Sequence, residues 1–187
     1  MAVILTTAGC AHWGNGPGSP FAEPPKGSTL TLHRTLTIPP GEAGIYLQDG
    51  DTSTGAYDRF EPFCELHVWS FNDRTAQTIQ PGAFTITRSR GNMRLVSQQP
   101  HKLAWAGSGN REMLRLATGD DAPSLTTLTV EMRLSSRRQP NVYQLECGGI
   151  EEEPALVLPP TLADIRRSLG SIMTLSLPGE AGNTTDR

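Results

Sequence analysis

The chain has 187 residues, a formal net charge of −3 and a high content of turn-forming residues, with 19 glycines and 15 prolines. It lacks the concentrated basic character that nucleic-acid binding requires, and no run approaches the roughly 18 apolar residues of a membrane-spanning helix. Its low hydrophobic fraction of 36% and its many turns favour one all-β domain over a helical bundle.

The first ten residues resemble the end of a bacterial lipoprotein signal peptide. A short apolar run leads into Ala8-Gly9-Cys10, where a signal peptidase would cut before the cysteine and its thiol would carry a diacylglycerol. A complete signal has a basic start and roughly 7–15 apolar residues. We therefore expect residues 1–9 to be a partial signal peptide and Cys10 to be the lipidation site. The alternative is a short apolar first strand with an incidental cysteine.

Residues 10–27 are predicted to be the lipidated cysteine and a flexible tether. They are rich in Gly, Pro and Ser and contain little apolar surface to bury. Ala11, directly after the cysteine, is typical of lipoproteins sorted to the outer membrane. We therefore expect a lipid anchor on the periplasmic face of that membrane. A cytosolic domain with a chance N-terminus is the alternative.

Apolar and polar residues alternate with the period of a β-strand through most of residues 28–178, the predicted single domain. Residues 51–59 are predicted to be a polar loop after the turn Asp49-Gly50-Asp51. Residues 89–123 are less regular, with short strands predicted at 95–96 and 103–105, and with 111–117 left open between strand and helix. The clear predicted strands are Thr29–Ile38, Ala43–Gln48, Cys64–Phe71, Gln77–Ile79, Phe84–Arg88, Ser124–Ser135 and Asn141–Cys147.

Three cysteines leave one pair once Cys10 carries the lipid. Cys64 alternates in phase with Leu66 and Val68, and Cys147 with Tyr143 and Leu145, so both thiols face the predicted core. In an oxidising compartment we expect a Cys64–Cys147 disulfide. Two reduced, buried cysteines are the alternative.

The C-terminal part of the chain carries a helix signal. Thr161 precedes Asp164 by three residues, as in a capping box, and Leu162, Ile165, Leu169 and Ile172 recur at helical spacing. This predicts one amphipathic helix from Leu162 to about Ser168, packed on the sheet, with Gly170 as its C-cap. A partner-binding helix is the less favoured alternative. Glu151–Glu153 is predicted to be a solvated loop, and residues 179–187 a disordered tail.

No catalytic, metal or cofactor motif is found. The four histidines lack zinc-ligand spacing, and Asp49 and Asp51 fit a hairpin turn better than a calcium loop. His33 and His67 are expected to be exposed. Trp69 and Phe71 share a predicted strand face with His67, and these three residues are a candidate binding surface. Burial of the aromatic pair in a core is the favoured alternative.

Three stretches together resemble an uncharacterised family of proteobacterial envelope lipoproteins over about residues 28–175. They are Tyr46–Gly50 with the following Cys64, Thr78–Phe84, and Cys147 followed by Leu162–Leu169. The resemblance implies an envelope location and supplies no catalytic residues.

We therefore predict an all-β, mainly antiparallel domain with one late helix. A sandwich is slightly favoured over a partly open barrel. Its predicted function is that of a lipid-anchored binding or envelope-assembly module without a catalytic site. Its expected partners are the membrane and another envelope protein, with no nucleic acid. The alternatives are an enzyme of unfamiliar type and a purely structural envelope protein.

Overall fold

The structure is a computed structural model that describes residues 23–54, 57–96, 125–152 and 156–180. Within these ranges the chain forms ten strands and one helix. They are β1 (Thr29–Leu32), β2 (Leu36–Ile38), β3 (Gly44–Gln48), β4 (Asp51–Ser53), β5 (Phe63–Val68), β6 (Gln77–Ile79), β7 (Gly82–Val96), β8 (Leu125–Ser135), β9 (Val142–Gly148), α1 (Leu162–Leu169) and β10 (Met173–Ser176).

Eight of the strands form one curled, half-barrel sheet in the order β10-β1-β7-β8-β9-β5-β3-β4, and every neighbouring pair is antiparallel. Strands β2 and β6 pair separately. The predicted all-β fold with one late helix is therefore confirmed. A single curled sheet corresponds to the partly open barrel and not to the sandwich. The long pairing of β7 with β8 connects strands β10, β1 and β7 to strands β8, β9, β5, β3 and β4. The sheet is therefore continuous and does not divide into two layers.

Several strand boundaries differ from the sequence prediction. The first predicted strand is divided in two. Its pairing with β10 ends where the His33 amide donates to the carbonyl of Ile172, and the chain then leaves the main sheet and pairs with β6 as β2. The polar loop after Asp49-Gly50 contains β4. Strand β7 continues without a break to Val96. The segments at 103–105 and 111–117 lie outside the described residues.

Helix α1 confirms its predicted cap, length and packing. The Thr161 hydroxyl accepts from the Asp164 amide, the Asp164 carboxylate accepts from the Thr161 amide, and Gly170 is the C-cap. Ile165 and Leu169 are fully buried against the sheet. The two reciprocal bonds satisfy amides that a helix start would otherwise leave unpaired.

Cys64 and Cys147 lie directly opposite each other on β5 and β9, and their sulfurs are bonded at 2.09 Å. Both residues are fully buried in the hydrophobic core. The predicted disulfide is confirmed, and it joins two neighbouring strands near the middle of the sheet.

The folded body is slightly longer than predicted at both ends. The Gly27 amide donates to the carbonyl of Ile86, and the Glu23 carboxylate accepts from the Gly91 amide, so residues 23–27 pack along β7. At the other end the Glu180 carboxylate accepts from the Leu177 amide. The predicted signal peptide, the lipidation site Cys10 and residues 181–187 lie outside the described residues.

Candidate functional site

One face of the main sheet, which we call the polar face, lies opposite the face that carries the disulfide. Its centre is a row of three glutamates on adjacent strands: Glu65 on β5 faces Glu146 on β9, and Glu146 faces Glu131 on β8. Their side chains are only 12% to 16% exposed. Like charges directly opposite each other destabilise a sheet. The repulsion within this row is therefore a cost to folding that neighbouring groups must offset.

Cationic and amide side chains from β7 partly balance the row. Arg90 lies 2.9 Å from Glu131, and the Asn92 amide donates to the same carboxylate at 2.7 Å. Arg94 lies 3.5 Å from Glu146. Burial of the Glu131 carboxyl opposes its ionisation, but the hydrogen bonds from Asn92 and Arg90 outweigh burial and lower its pKa. Glu131 is therefore held firmly in its charged form.

His67 lies between two of these carboxylates. Its Nε2 is 3.7 Å from an oxygen of Glu65 and 3.8 Å from an oxygen of Glu146. Neither distance is a hydrogen bond, and this buried nitrogen has no hydrogen-bond partner among the described residues. The His67 side chain is 19% exposed, so the prediction of an exposed histidine is wrong at this position. His33 is exposed, as expected.

Gly44 gives the His67 side chain its space. It faces His67 across β3 and β5, and a Cβ atom there would lie 3.0 Å from a Glu65 oxygen and 3.3 Å from the His67 ring nitrogen. A larger residue would press on both side chains.

An aromatic cluster borders one end of the row. Tyr57 stacks on Phe63 with ring centroids 4.1 Å apart, and Tyr46 lies 4.7 Å from Tyr57. The Tyr57 hydroxyl donates to Glu151 at 2.6 Å. Glu151 is only 3% exposed, so the solvated loop predicted there is wrong at its first residue. The β9–α1 connection folds back so that the carboxylate meets Tyr57.

The surroundings of the aromatic cluster shift the pKa values of Tyr46, Tyr57 and Arg94. Burial raises the pKa of Tyr57, and the neighbouring Glu151 carboxylate raises it further. Burial and Glu65 raise the pKa of Tyr46. Burial opposes the charge of Arg94, but Glu146 and the tyrosines outweigh it and raise its pKa. Near neutral pH the tyrosines are hydrogen-bonding hydroxyls and Arg94 is a cation.

A second aromatic group lies beside the row, where β5 ends, and is exposed. Trp69 stacks on Tyr143 with centroids 3.8 Å apart, and Arg133 lies 5.2 Å above the same tyrosine ring. Trp69 and Phe71 are 66% and 65% exposed. Strand β5 ends at Val68, so both side chains lie beyond it. The favoured alternative, burial of this pair in a core, is wrong.

A β-bulge explains the position of Tyr143. His67 pairs with Gln144 and Val68 with Val142, which leaves Tyr143 as an extra residue in β9. The bulge places Tyr143 beside Trp69 and out of phase with the fully buried Leu145. The predicted common face of Tyr143 and Cys147 is therefore wrong.

A further candidate site is the turn that contains Asp49 and Asp51. The predicted turn at Asp49-Gly50 is confirmed as the β3–β4 hairpin, and a shallow cleft of about 420 Å³ beside it contains Asp49, Asp51 and Asp58. The Asp58 carboxylate accepts from the Phe60 amide.

Across the described ranges, no three His, Cys, Asp or Glu side chains are arranged to hold a metal ion. The same ranges contain no helix long and apolar enough to cross a bilayer.

Comparisons of this chain with protein-family models, curated proteins and solved structures found no match.

Proposed function

We propose that this chain is an envelope lipoprotein, anchored through Cys10, whose domain binds a ligand or another envelope protein on the polar face. The lipobox-like Ala8-Gly9-Cys10 supports the anchor. The Cys64–Cys147 disulfide supports an oxidising compartment, because structural disulfides are rare in the reducing cytosol.

The observation that carries the binding proposal is the glutamate row beside an exposed aromatic stack. Glu65, Glu146 and Glu131 repel one another, yet they occupy the centre of the sheet. Trp69 exposes most of its surface although it stacks on Tyr143. Closely placed polar groups beside an exposed aromatic surface are typical of recognition sites.

The tyrosines of the aromatic cluster are hydrogen-bonding groups near neutral pH. Burial and neighbouring carboxylates raise the pKa of Tyr46 and of Tyr57, so both phenols stay protonated. Their hydroxyls are therefore fixed polar groups at the border of the glutamate row, which suits recognition of a ligand.

The anchor is tested by palmitate labelling of the protein expressed with its natural upstream sequence. We expect the wild-type chain to be labelled and to sediment with membranes, and the Cys10→Ser variant to be unlabelled and released. An unlabelled wild-type chain would contradict the anchor, whatever the polar face binds.

The binding surface is tested with a photo-crosslinking amino acid in envelope-located protein. Position 71 is two residues after Trp69 and exposed. Position 60 is the matched control, because Phe60 is a similarly exposed phenylalanine, at 71%, in a different turn. We expect a discrete adduct from position 71 that is lost with Trp69→Ala or Glu146→Gln, and none from position 60.

The outcomes separate the alternatives. Identical adducts from both positions, or an adduct that neither substitution removes, would contradict the proposed surface. A bound molecule recovered in chemically altered form would indicate an enzyme. Complete absence of adducts would favour a purely structural protein.

A further inference from the structure

A second site lies away from the glutamate row, at the end of the sheet where β8 turns into β9. A cavity of about 410 Å³ opens between this turn and the start of β7. Its lining includes Gly82, Thr85, Ser135, Arg137, Arg138 and Gln139.

The walls of this cavity are held in place by hydrogen bonds. The side-chain amide of Gln139 accepts from the Gln80 amide at 2.7 Å and donates to the Gln80 carbonyl at 2.7 Å. These two bonds tie the β8–β9 turn to the β6–β7 turn. Thr85 and Ser135 pair directly across β7 and β8 on the cavity floor. The cavity is therefore formed before any ligand arrives.

The cavity carries uncompensated positive charge. Arg137 and Arg138 are exposed, and neither approaches a carboxylate at ion-pair distance in the part of the chain that the structure describes, whereas Arg90, Arg94 and Arg166 each do. A few residues along the same two strands, Arg88 and Arg133 lie directly opposite each other. Two unpaired guanidinium groups thus lie at the cavity, and a second pair of arginines follows on the same two strands.

The hydrogen-bonding groups beside these charges are free donors. The hydroxyls of Thr85, Ser135 and Ser136 form no hydrogen bond to another described residue and lie at the cavity. Arginine forks and hydroxyl donors are the groups that recognise phosphate oxygens, and a preformed concave site keeps the ordering cost low.

We infer that this cavity binds a phosphate group, carried either by a phospholipid headgroup or by a soluble compound. Arg137 and Arg138 supply the charge, and the hydroxyls of Thr85, Ser135 and Ser136 supply neutral donors. This inference rests on neither the lipid anchor nor the glutamate row.

The test uses the purified, folded full-length chain with the substitution Cys10→Ser, so that no acyl chain contributes to vesicle binding. Inorganic phosphate is titrated and followed by calorimetry, and sedimentation is measured with vesicles of phosphatidylcholine with and without phosphatidylglycerol. We expect the double variant Arg137→Gln/Arg138→Gln to bind phosphate about tenfold more weakly or worse, because it loses two charge-assisted donors. Gln139→Ala, which keeps the charge but frees the turn, should also weaken binding.

The matched control removes the same charge elsewhere. Arg74→Gln/Arg167→Gln changes two exposed arginines that lie near carboxylates in other parts of the molecule. We expect this variant to bind like the wild type. If the protein sediments only with vesicles that contain phosphatidylglycerol, in buffer without phosphate, the natural ligand is a phospholipid headgroup. If the cavity is saturated by inorganic phosphate and the protein does not sediment with vesicles, the natural ligand is a soluble compound. Binding of neither probe, or an equal loss in the control variant, would overturn the inference.

Discussion

Glu65 and Glu146 face each other on β5 and β9, one residue from the disulfide that joins Cys64 to Cys147. The covalent bond on one face of the sheet therefore fixes a repulsive carboxylate pair on the other. Since side chains alternate between faces, any register that pairs these cysteines also brings these glutamates together.

Neutralising Glu65 should stabilise the domain. Glu65→Gln removes repulsion with Glu146, and Glu65 has no arginine partner among the described residues. We expect the free energy of unfolding at pH 7 to rise by about 0.5 kcal/mol, the size of a cross-strand charge effect. Urea unfolding measures it. A fall of the same size would contradict net repulsion at this pair.

Glu131→Gln should have the opposite sign and depend on pH. The folded-state pKa of Glu131 is lowered, so its contribution is present above the unfolded pKa and is lost as pH falls through the folded pKa. We expect a loss of about 1 kcal/mol at pH 7, because the Arg90 and Asn92 bonds weaken. Urea unfolding at pH 7 and at strongly acidic pH should show the difference only at the higher pH. A pH-independent loss would refute this assignment.

Removal of the Tyr57 hydroxyl should leave the buried Glu151 carboxylate short of a donor. We expect Tyr57→Phe to cost about 1–3 kcal/mol, the penalty for a buried polar group that loses its partner. Because the folded pKa of Tyr57 is raised, its stabilising contribution is present below the unfolded pKa and is lost as pH rises through the folded value. Denaturant unfolding and ultraviolet titration of the tyrosines test both points. If the loss of stability in the double variant Tyr57→Phe/Glu151→Gln equals the sum of the losses in the two single variants, the two side chains do not interact.

Loss of the disulfide should be among the most destabilising changes. The two cysteines are 83 residues apart, and closing a loop of that size restricts the unfolded chain by about 4 kcal/mol. We expect reduced wild-type protein and Cys64→Ala/Cys147→Ala to unfold at much lower urea concentrations than oxidised protein. Thiol counting under non-reducing denaturation provides the control. Two free thiols in the native protein would contradict the bond.

The contact between Gly50 and Gly170 should tolerate no side chain. A Cβ on Gly170 would lie 2.8 Å from the Gly50 amide nitrogen and closer still to its Cα, and Gly170 has a φ of 49°. Gly179→Ala is the matched control, because it also has positive φ but nothing within 4 Å. We expect Gly170→Ala to cost about 2 kcal/mol more than the control, since backbone atoms must move. Equal losses of thermal stability in the two variants would contradict this prediction, because they would show that the β3–β4 hairpin shifts away from Gly170 at little cost.

The sequence contains enough information for much of the fold. Period-two alternation located most strands, and the apolar stripe from Leu162 to Ile172 with its Thr161 cap predicted α1 closely. The break after Leu32 could not be predicted. It depends on a change of pairing partner, from β10 in the main sheet to β6, whereas local alternation continues unchanged.

The sequence predicts only part of the polar face. The predicted Cys64–Cys147 bond implies that Glu65 faces Glu146 when the two strands are antiparallel neighbours. The stack of Trp69 on Tyr143 is not predictable, because neither the end of β5 at Val68 nor the bulge at Tyr143 has a signal in local alternation. Tyr57 and Glu151 are 94 residues apart and meet only through the path of two loops.

The bond between β5 and β9 also makes a closed ring of covalent linkages that contains β6, β7 and β8. A protease that cuts anywhere inside this ring opens it without dividing the molecule. The piece carrying the N-terminus and the piece carrying α1 would remain attached until a reductant is added. Damage within the ring would therefore leave the C-terminal half fastened to whatever holds the N-terminus.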